Sequence, residues 1–144
     1  MASLFNFEVH TPRRIFYSGK VQAIIIGLED GEIGIYANHS PFTSHSVTGS
    51  LRIKDENGSW RTAFVCGGIL QVKEHKNVLM VESADWPEEI NVERVLEIKK
   101  QSEEILKTTQ LKFEIDIAKK KLHHAECRLK VVEQEKNKKP VVNA

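Results

Sequence analysis

From Glu88 to Lys136 the chain runs without a single glycine or proline. In a chain of 144 residues such a stretch points to long helices, because glycine and proline are the residues that punctuate turns. Within it Leu111, Ile115, Ala118, Leu122, Ala125, Leu129 and Val132 recur at alternating spacings of 4 and 3. That is a heptad seam, narrow enough to bury against one partner helix, with Ala118 and Ala125 allowing close approach. Residues 90–107 supply the partner, through a looser apolar face of Val92, Val95, Leu96, Ile98, Ile105 and Leu106. Extended backwards, the seam lands on Thr108, Glu104, Gln101, Glu97 and Arg94, so the apolar phase breaks between Leu106 and Leu111. A hairpin turning near Lys107–Gln110 buries both faces. That turn lacks glycine and is a weak stop, so the hairpin can straighten when a partner supplies the missing contacts.

The preceding residues follow a different period. Phe5-Asn6-Phe7-Glu8-Val9 alternates apolar and polar, as a half-buried strand does. Tyr17-Ser18-Gly19 reads as a turn before a β-branched strand, Lys20–Ile26, and Glu29-Asp30-Gly31 as another turn. Asp55-Glu56-Asn57-Gly58 separates the strands Leu51–Lys54 and Trp60–Val65, and Asn-Gly between alternating strands is a hairpin signal. Glu74–Asn77 separates Ile69–Val72 from Val78–Val81 in the same manner. Short, evenly spaced strands predict an antiparallel sandwich. Trp86-Pro87-Glu88-Glu89 then opens the helical part: the proline ring presets φ, and the two carboxylates meet the positive end of the helix dipole. The expected organisation is α+β in two parts: a β-sandwich over residues 1–86, a two-helix hairpin over 87–139, and a disordered tail over 140–144.

Composition excludes several classes. A net charge of +1 lacks the concentrated basic surface of a general nucleic-acid binder. The longest apolar run, Ala23 to Ile26, is far too short to cross a bilayer. No signal or transit peptide is expected at the start, which favours a bacterial origin. Cys66 and Cys127 lack zinc-ligand spacing and read as free thiols. The helical part is polarised. Residues 88–107 carry six acids and four bases, a net of −2, whereas residues 119–139 carry eight bases and three acids, a net of +5. Such a basic stretch is either a solvated face or a surface for an acidic partner.

No catalytic or metal site is expected. Gly31-x-x-Gly34 is neither a dinucleotide fingerprint nor a P-loop. His39, Ser40 and His45 lack a nucleophile elbow and an orienting acid. His123 and His124 point about a quarter-turn apart and read as solvated residues. Trp60 and Trp86 read as core or junction aromatics.

Gly31-Glu32-Ile33-Gly34-Ile35-Tyr36 running into His39 and Pro41, together with Gly49-Ser50-Leu51-Arg52-Ile53 and Gly67-Gly68-Ile69-Leu70-Gln71-Val72, resembles the epsilon subunit of bacterial F-type ATP synthases. The resemblance spans roughly the whole chain. It implies a non-catalytic central-stalk subunit of a proton- or sodium-driven enzyme, peripheral on the cytoplasmic face of the cell membrane. The β-sandwich would dock on the gamma subunit and the c-subunit ring, with Glu32 at the position that touches the polar loops of the c subunits. The helices would extend into the catalytic head of alpha and beta subunits and brake ATP hydrolysis, with Lys119, Lys120, Lys121 and Arg128 facing an acidic segment of a beta subunit.

Some relatives also bind ATP between the folded helices through Ile-Asp-x-x-Arg-Ala and two arginines on the second helix. Here Ile90, Arg94 and Arg128 match that pattern. Asn91 replaces the aspartate, Val95 the alanine, and His124 one arginine. Losing a guanidinium removes a strong phosphate donor, so no cofactor is required and any ATP affinity would be weak. Two other classes stay open: an ATP-binding sensor module, and a free-standing helical-hairpin adaptor.

Overall fold

The computed structural model describes residues 3–137, so the expected tail at 140–144 lies outside the described residues. The chain divides into two compact units, residues 1–86 and 87–144. The first contains eight strands: β1 (Phe5–His10), β2 (Ile15–Leu28), β3 (Gly31–Tyr36), β4 (Phe42–Asp55), β5 (Trp60–Val65), β6 (Gly68–Val72), β7 (Asn77–Val81) and β8 (Ala84–Asp85). Their order is β3-β2-β1-β7-β6-β4-β5-β8, with a further β2–β4 pairing that closes the sheet on itself.

Two strands of 14 residues each make the sandwich possible. The first half of β2 pairs with β1, and the second half with β3 and β4. The first half of β4 pairs with β6, and the second with β5. Each long strand therefore serves both layers, and register shifts at Val21/Ala23 and Ile26/Leu28 mark where β2 re-aims. All ladders are antiparallel except β1–β7, which is parallel.

Alternation fixes which side chains go inside. Phe7 and Val9 of β1, Ile24 and Ile26 of β2, Leu51 and Ile53 of β4, and Leu79 of β7 are fully buried in one cluster. Tyr17-Ser18-Gly19, expected as a turn, lies inside β2 opposite Val9, Glu8 and Phe7. A glycine there breaks nothing because the neighbouring β1 supplies the ladder partner. Burial and the Asp55 carboxylate raise the Tyr17 phenol above its ordinary pKa, so the ring stays neutral at physiological pH. The Asn57-Gly58 hairpin forms where expected, but Asp55 organises it: its Oδ1 accepts from Asn57 N and Ser59 N, each at 2.9 Å. Gly58 takes the left-handed conformation at φ +84.

The second unit holds α1 (Val92–Thr108) and α2 (Lys112–Asn137). Pro87–Glu89 forms a single 3-10 turn rather than the first turn of α1. The helix instead starts at Asn91, whose side chain accepts from Arg94 N at 3.2 Å as an N-cap. α1 and α2 pack as a hairpin, and its turn, Thr109–Leu111, overlaps the expected Lys107–Gln110 but lies one to two residues later. Thr109 accepts from Leu111 N at 3.2 Å and bonds the Glu114 carboxylate, so side-chain hydrogen bonds do the work of the missing glycine.

Ala118 and Ala125 are buried at the centre of the seam, while Leu122, Leu129 and Val132 are only half-buried because a single helix covers them. Leu111 precedes α2 and is exposed, and Val131, which lies off the seam, is buried. On α1 the buried residues are Val95 and, one heptad on, Ser102. Replacing Ala125 by Leu should force the helices apart at a cost of about 1–3 kcal/mol. Hydrogen exchange should rise across residues 92–136 and stay slow in the strands. An unchanged hairpin would show that the helices do not approach closely at Ala125.

Candidate docking surfaces

The outer face of the layer β4-β6-β7-β1-β2 carries a row of side chains fixed by register. His45 lies opposite Ile69, Ile69 opposite Met80, Met80 opposite His10, and His10 opposite Ile15. The inward neighbours Val9, Leu70 and Leu79 fill the core, so this row points to solvent. Ile15, Ile69 and Met80 are exposed apolar residues. Gly68 packs tightly on β7, where a Cβ would lie 2.0 Å from Met80 O. His10, between Met80 and Ile15 in this row, has its Nε2 2.6 Å from Glu8 Oε1. Exposed apolar side chains grouped on one face are the usual feature of a protein-docking surface.

The outer face of the layer β3-β2-β4-β5 carries Glu32. It is exposed, and its Oε1 accepts from Arg52 Nη2 at 2.9 Å. Next to this face the chain turns through Ala37–Pro41. Asn38 there is the one non-glycine residue with positive φ among the described residues, at 65°. His39 Nδ1 lies 2.8 Å from Ser40 O, and its ring packs on Phe42 at 5.1 Å. That ring nitrogen contacts a backbone carbonyl instead of a hydroxyl, so no nucleophile–base pair forms. A cavity of about 430 Å³ lies beside the turn, lined by Tyr36, Asn38, His39, Lys73 and Asn77 among others.

At the end of the β unit four side chains stack. The Arg14 guanidinium lies 5.1 Å from the Phe16 ring centroid, Phe16 and Trp86 stack at 4.5 Å, and Arg61 covers Trp86 at 3.7 Å. Trp86 is thus the aromatic anchor at the junction, its indole held between a ring and a cation.

On the hairpin, Lys119, Lys120 and Lys121 are exposed along α2. Lys121, His124 and Arg128 line a cavity of about 210 Å³ whose α1 side is Ile98, Gln101, Ser102 and Ile105. Of the nucleotide candidates only Arg128 reaches it, since Ile90 and Arg94 are not among its lining residues. Asn91, at the aspartate position of the nucleotide pattern, serves as the helix cap. His124, expected in solvent, is half-buried at the cavity, whereas His123 is exposed and approaches Cys127 Sγ at 3.8 Å. Gln101 and Ser102 were not singled out by the sequence. The available signal was Ser102, a polar residue one heptad from Val95. Among the described residues no group of three or more His, Cys, Asp or Glu side chains could hold a metal, and no helix is long and apolar enough to cross a membrane.

Comparison with known proteins gives one answer. The family model for the β-sandwich domain of ATP synthase delta/epsilon chains matches residues 4–87. The ATP synthase epsilon chain of Caldicellulosiruptor saccharolyticus is 39% identical over 133 residues, covering 92% of this chain and 96% of that protein. That of Caldanaerobacter subterraneus subsp. tengcongensis is 38% identical, covering 91% and 95%. Among solved structures, a chain of the Euglena gracilis mitochondrial ATP synthase superposes with a TM-score of 0.68 at 18% identity, over 93% of this chain and 80% of that one. A chain of the Tetrahymena thermophila mitochondrial ATP synthase central stalk and c-ring does so at 0.57 and 14%, over 89% and 96%. At those identities the two structures speak for the fold. The relatives align across both the strands and the helices, and on that ground the chain belongs to the ATP synthase delta/epsilon family, as an epsilon chain.

Proposed function

We infer that this chain is the epsilon subunit of the central stalk of an F-type ATP synthase: a non-catalytic part of the rotor that joins the catalytic head to the c-subunit ring and restrains ATP hydrolysis through its helices. The observation that carries this is the alignment with epsilon chains over 92% of the sequence, which takes in the β unit and the hairpin together. The structural neighbours come from F1/c-ring and central-stalk assemblies. The apolar row through Ile15, Met80 and Ile69 then serves the gamma subunit, and Glu32 the polar loops of the ring. The complex is membrane-associated, and this subunit sits on it peripherally, at the cytoplasmic face of a bacterial membrane. Lys119, Lys120, Lys121 and Arg128 present the positive surface that an acidic segment of a beta subunit would meet.

The nucleotide-sensor reading finds less support. A cavity of about 210 Å³ is smaller than the roughly 300–1,000 Å³ of ordinary ligand pockets, and two of the three matching residues lie away from it. The adaptor reading has nothing specific in its favour. The full-length chain, tagged, should pull down gamma and the c-ring from solubilised membranes, and Met80→Glu should abolish the gamma band by placing a charge in the apolar row. Recovery of neither partner by the wild-type chain would overturn the assignment.

A further inference from the structure

We propose that Arg52 is the positioning residue of the Glu32 contact, and that the two side chains dock as one neutral unit against a partner loop offering uncharged hydrogen-bond donors. This rests on the reading above that Glu32 touches the c-subunit loops. The geometry is specific to the sheet. Glu32 lies opposite Gly27 on β2, and Arg52 lies opposite Ile25 on the other side of that strand. The ion pair therefore reaches diagonally across β2, between Ile25 opposite Arg52 and Gly27, which adds no side chain of its own opposite Glu32. Gly27 cannot acquire one readily, since a Cβ there would lie 2.9 Å from Val47 Cγ2. Tyr36, 62% exposed, lays its ring over Gly34, where a Cβ would lie 3.5 Å from Tyr36 Cε2.

In the free chain the two side chains remain 41% and 57% exposed, and a surface pair of this kind adds little to folding. Its value changes when a partner covers it. A lone carboxylate taken out of water at an interface carries a large desolvation cost, part of which a bound guanidinium offsets when the carboxylate is already paired. Arg52 engages Oε1, which fixes the rotamer and offsets the charge. A carboxylate also presents a second oxygen as an acceptor. The partner then needs only an N–H or hydroxyl donor at that point, and an acidic partner is refused.

The test titrates the full-length chain onto membranes carrying its ATP synthase stripped of this subunit. Arg52→Gln should weaken binding by about tenfold or more, because Glu32 is then covered unpaired. Glu32→Gln should also weaken binding, Arg52→Lys should recover part of the loss, and the double variant E32Q/R52Q should bind better than R52Q alone. All four should melt within about 5 °C of wild type, a pattern that a strand-packing role would not give. If E32Q weakens binding and R52Q does not, the proposal falls while the Glu32 contact stands. If E32Q binds as wild type, the contact itself is refuted and the proposal with it. A loss of affinity in R52Q that tracks its melting temperature, with no recovery in the double variant, would make Arg52 a structural residue only.

Discussion

Removing residues 88–144 should raise ATP hydrolysis by the assembled enzyme about fivefold or more, the scale of a typical coupling free energy, while gamma and ring binding persist. The β unit supports that separation: its core of Phe7, Val9, Ile24, Leu51 and Leu79 is complete within the strands. Charge offers an independent handle. Reversing Lys119, Lys120, Lys121 and Arg128 to glutamate sets four acids where an acidic partner is expected. Like charges at contact oppose association, so the variant should mimic the truncation, and the contrast should shrink at high salt as exposed charges are screened. Arg128 is half-buried beside Ile98 and Ile105, so its replacement also disturbs the hairpin. The three lysines are exposed, and a variant limited to them isolates the electrostatic part. Wild-type hydrolysis in all these variants over a range of ionic strength would reduce the helices to a strut.

The largest loss of stability should come from Gly68→Ala. A Cβ at this position would lie 2.0 Å from Met80 O and 2.8 Å from Val81 Cγ1, and the first of these is backbone that cannot swing aside. β6 would have to move off β7, breaking a ladder that runs from Gly68↔Val81 to Val72↔Asn77, along with the bond from Gly68 N to Ser46 Oγ at 3.0 Å. The cost should be on the order of 3–5 kcal/mol, in the range reserved for strain and core disruption. That is a large share of the roughly 5–15 kcal/mol that holds a domain together. Gly49→Ala is the matched control: its Cβ would meet nothing within 4 Å, and it should change the denaturation midpoint little. Equal midpoints for the two variants would show that β6 and β7 do not approach as closely as described.

Local pattern carried much of the β unit. Alternation in Phe5–Val9 and the hairpins around Asn57-Gly58 and Glu74–Asn77 depend on residues a few positions apart, and these elements formed where expected. Tyr17-Ser18-Gly19 misled because glycine marks turns by default, whereas here β1 overrides the local preference. The first half of β4, Phe42-Thr43-Ser44-His45-Ser46, was not visible as a strand: Thr43 and His45 face out, and of the inward residues Phe42, Ser44 and Ser46 only Phe42 is apolar, so hydrophobic period is too weak to show. The parallel β1–β7 pair and the Glu32–Arg52 diagonal depend on long-range register, which no local signal reports. On the helices the seam was legible at Ala118 and Ala125, but Ser102 was passed over because a buried polar residue looks like surface in a one-dimensional pattern. The clustering of Lys121, His124 and Arg128 beside Gln101 depends on how the two helices are phased, and sequence spacing leaves that open.

The sheet's order also bears on the interval between synthesis and assembly. An unpaired strand edge is a template for any other chain with a matching edge, and a subunit awaiting its partners is exposed to that hazard. This fold ends its strand order in β3 and β8. β8 is two residues long, too short to nucleate a foreign ladder, and β3 offers six, with glycine at Gly31 and Gly34 and a charge at Glu32. Glycine is poorly suited to extended pairing, and the Glu32–Arg52 pair keeps a polar, solvated group beside that edge. The same short, glycine-rich strand that presents Glu32 thereby makes a poor template for a second copy while the subunit is free.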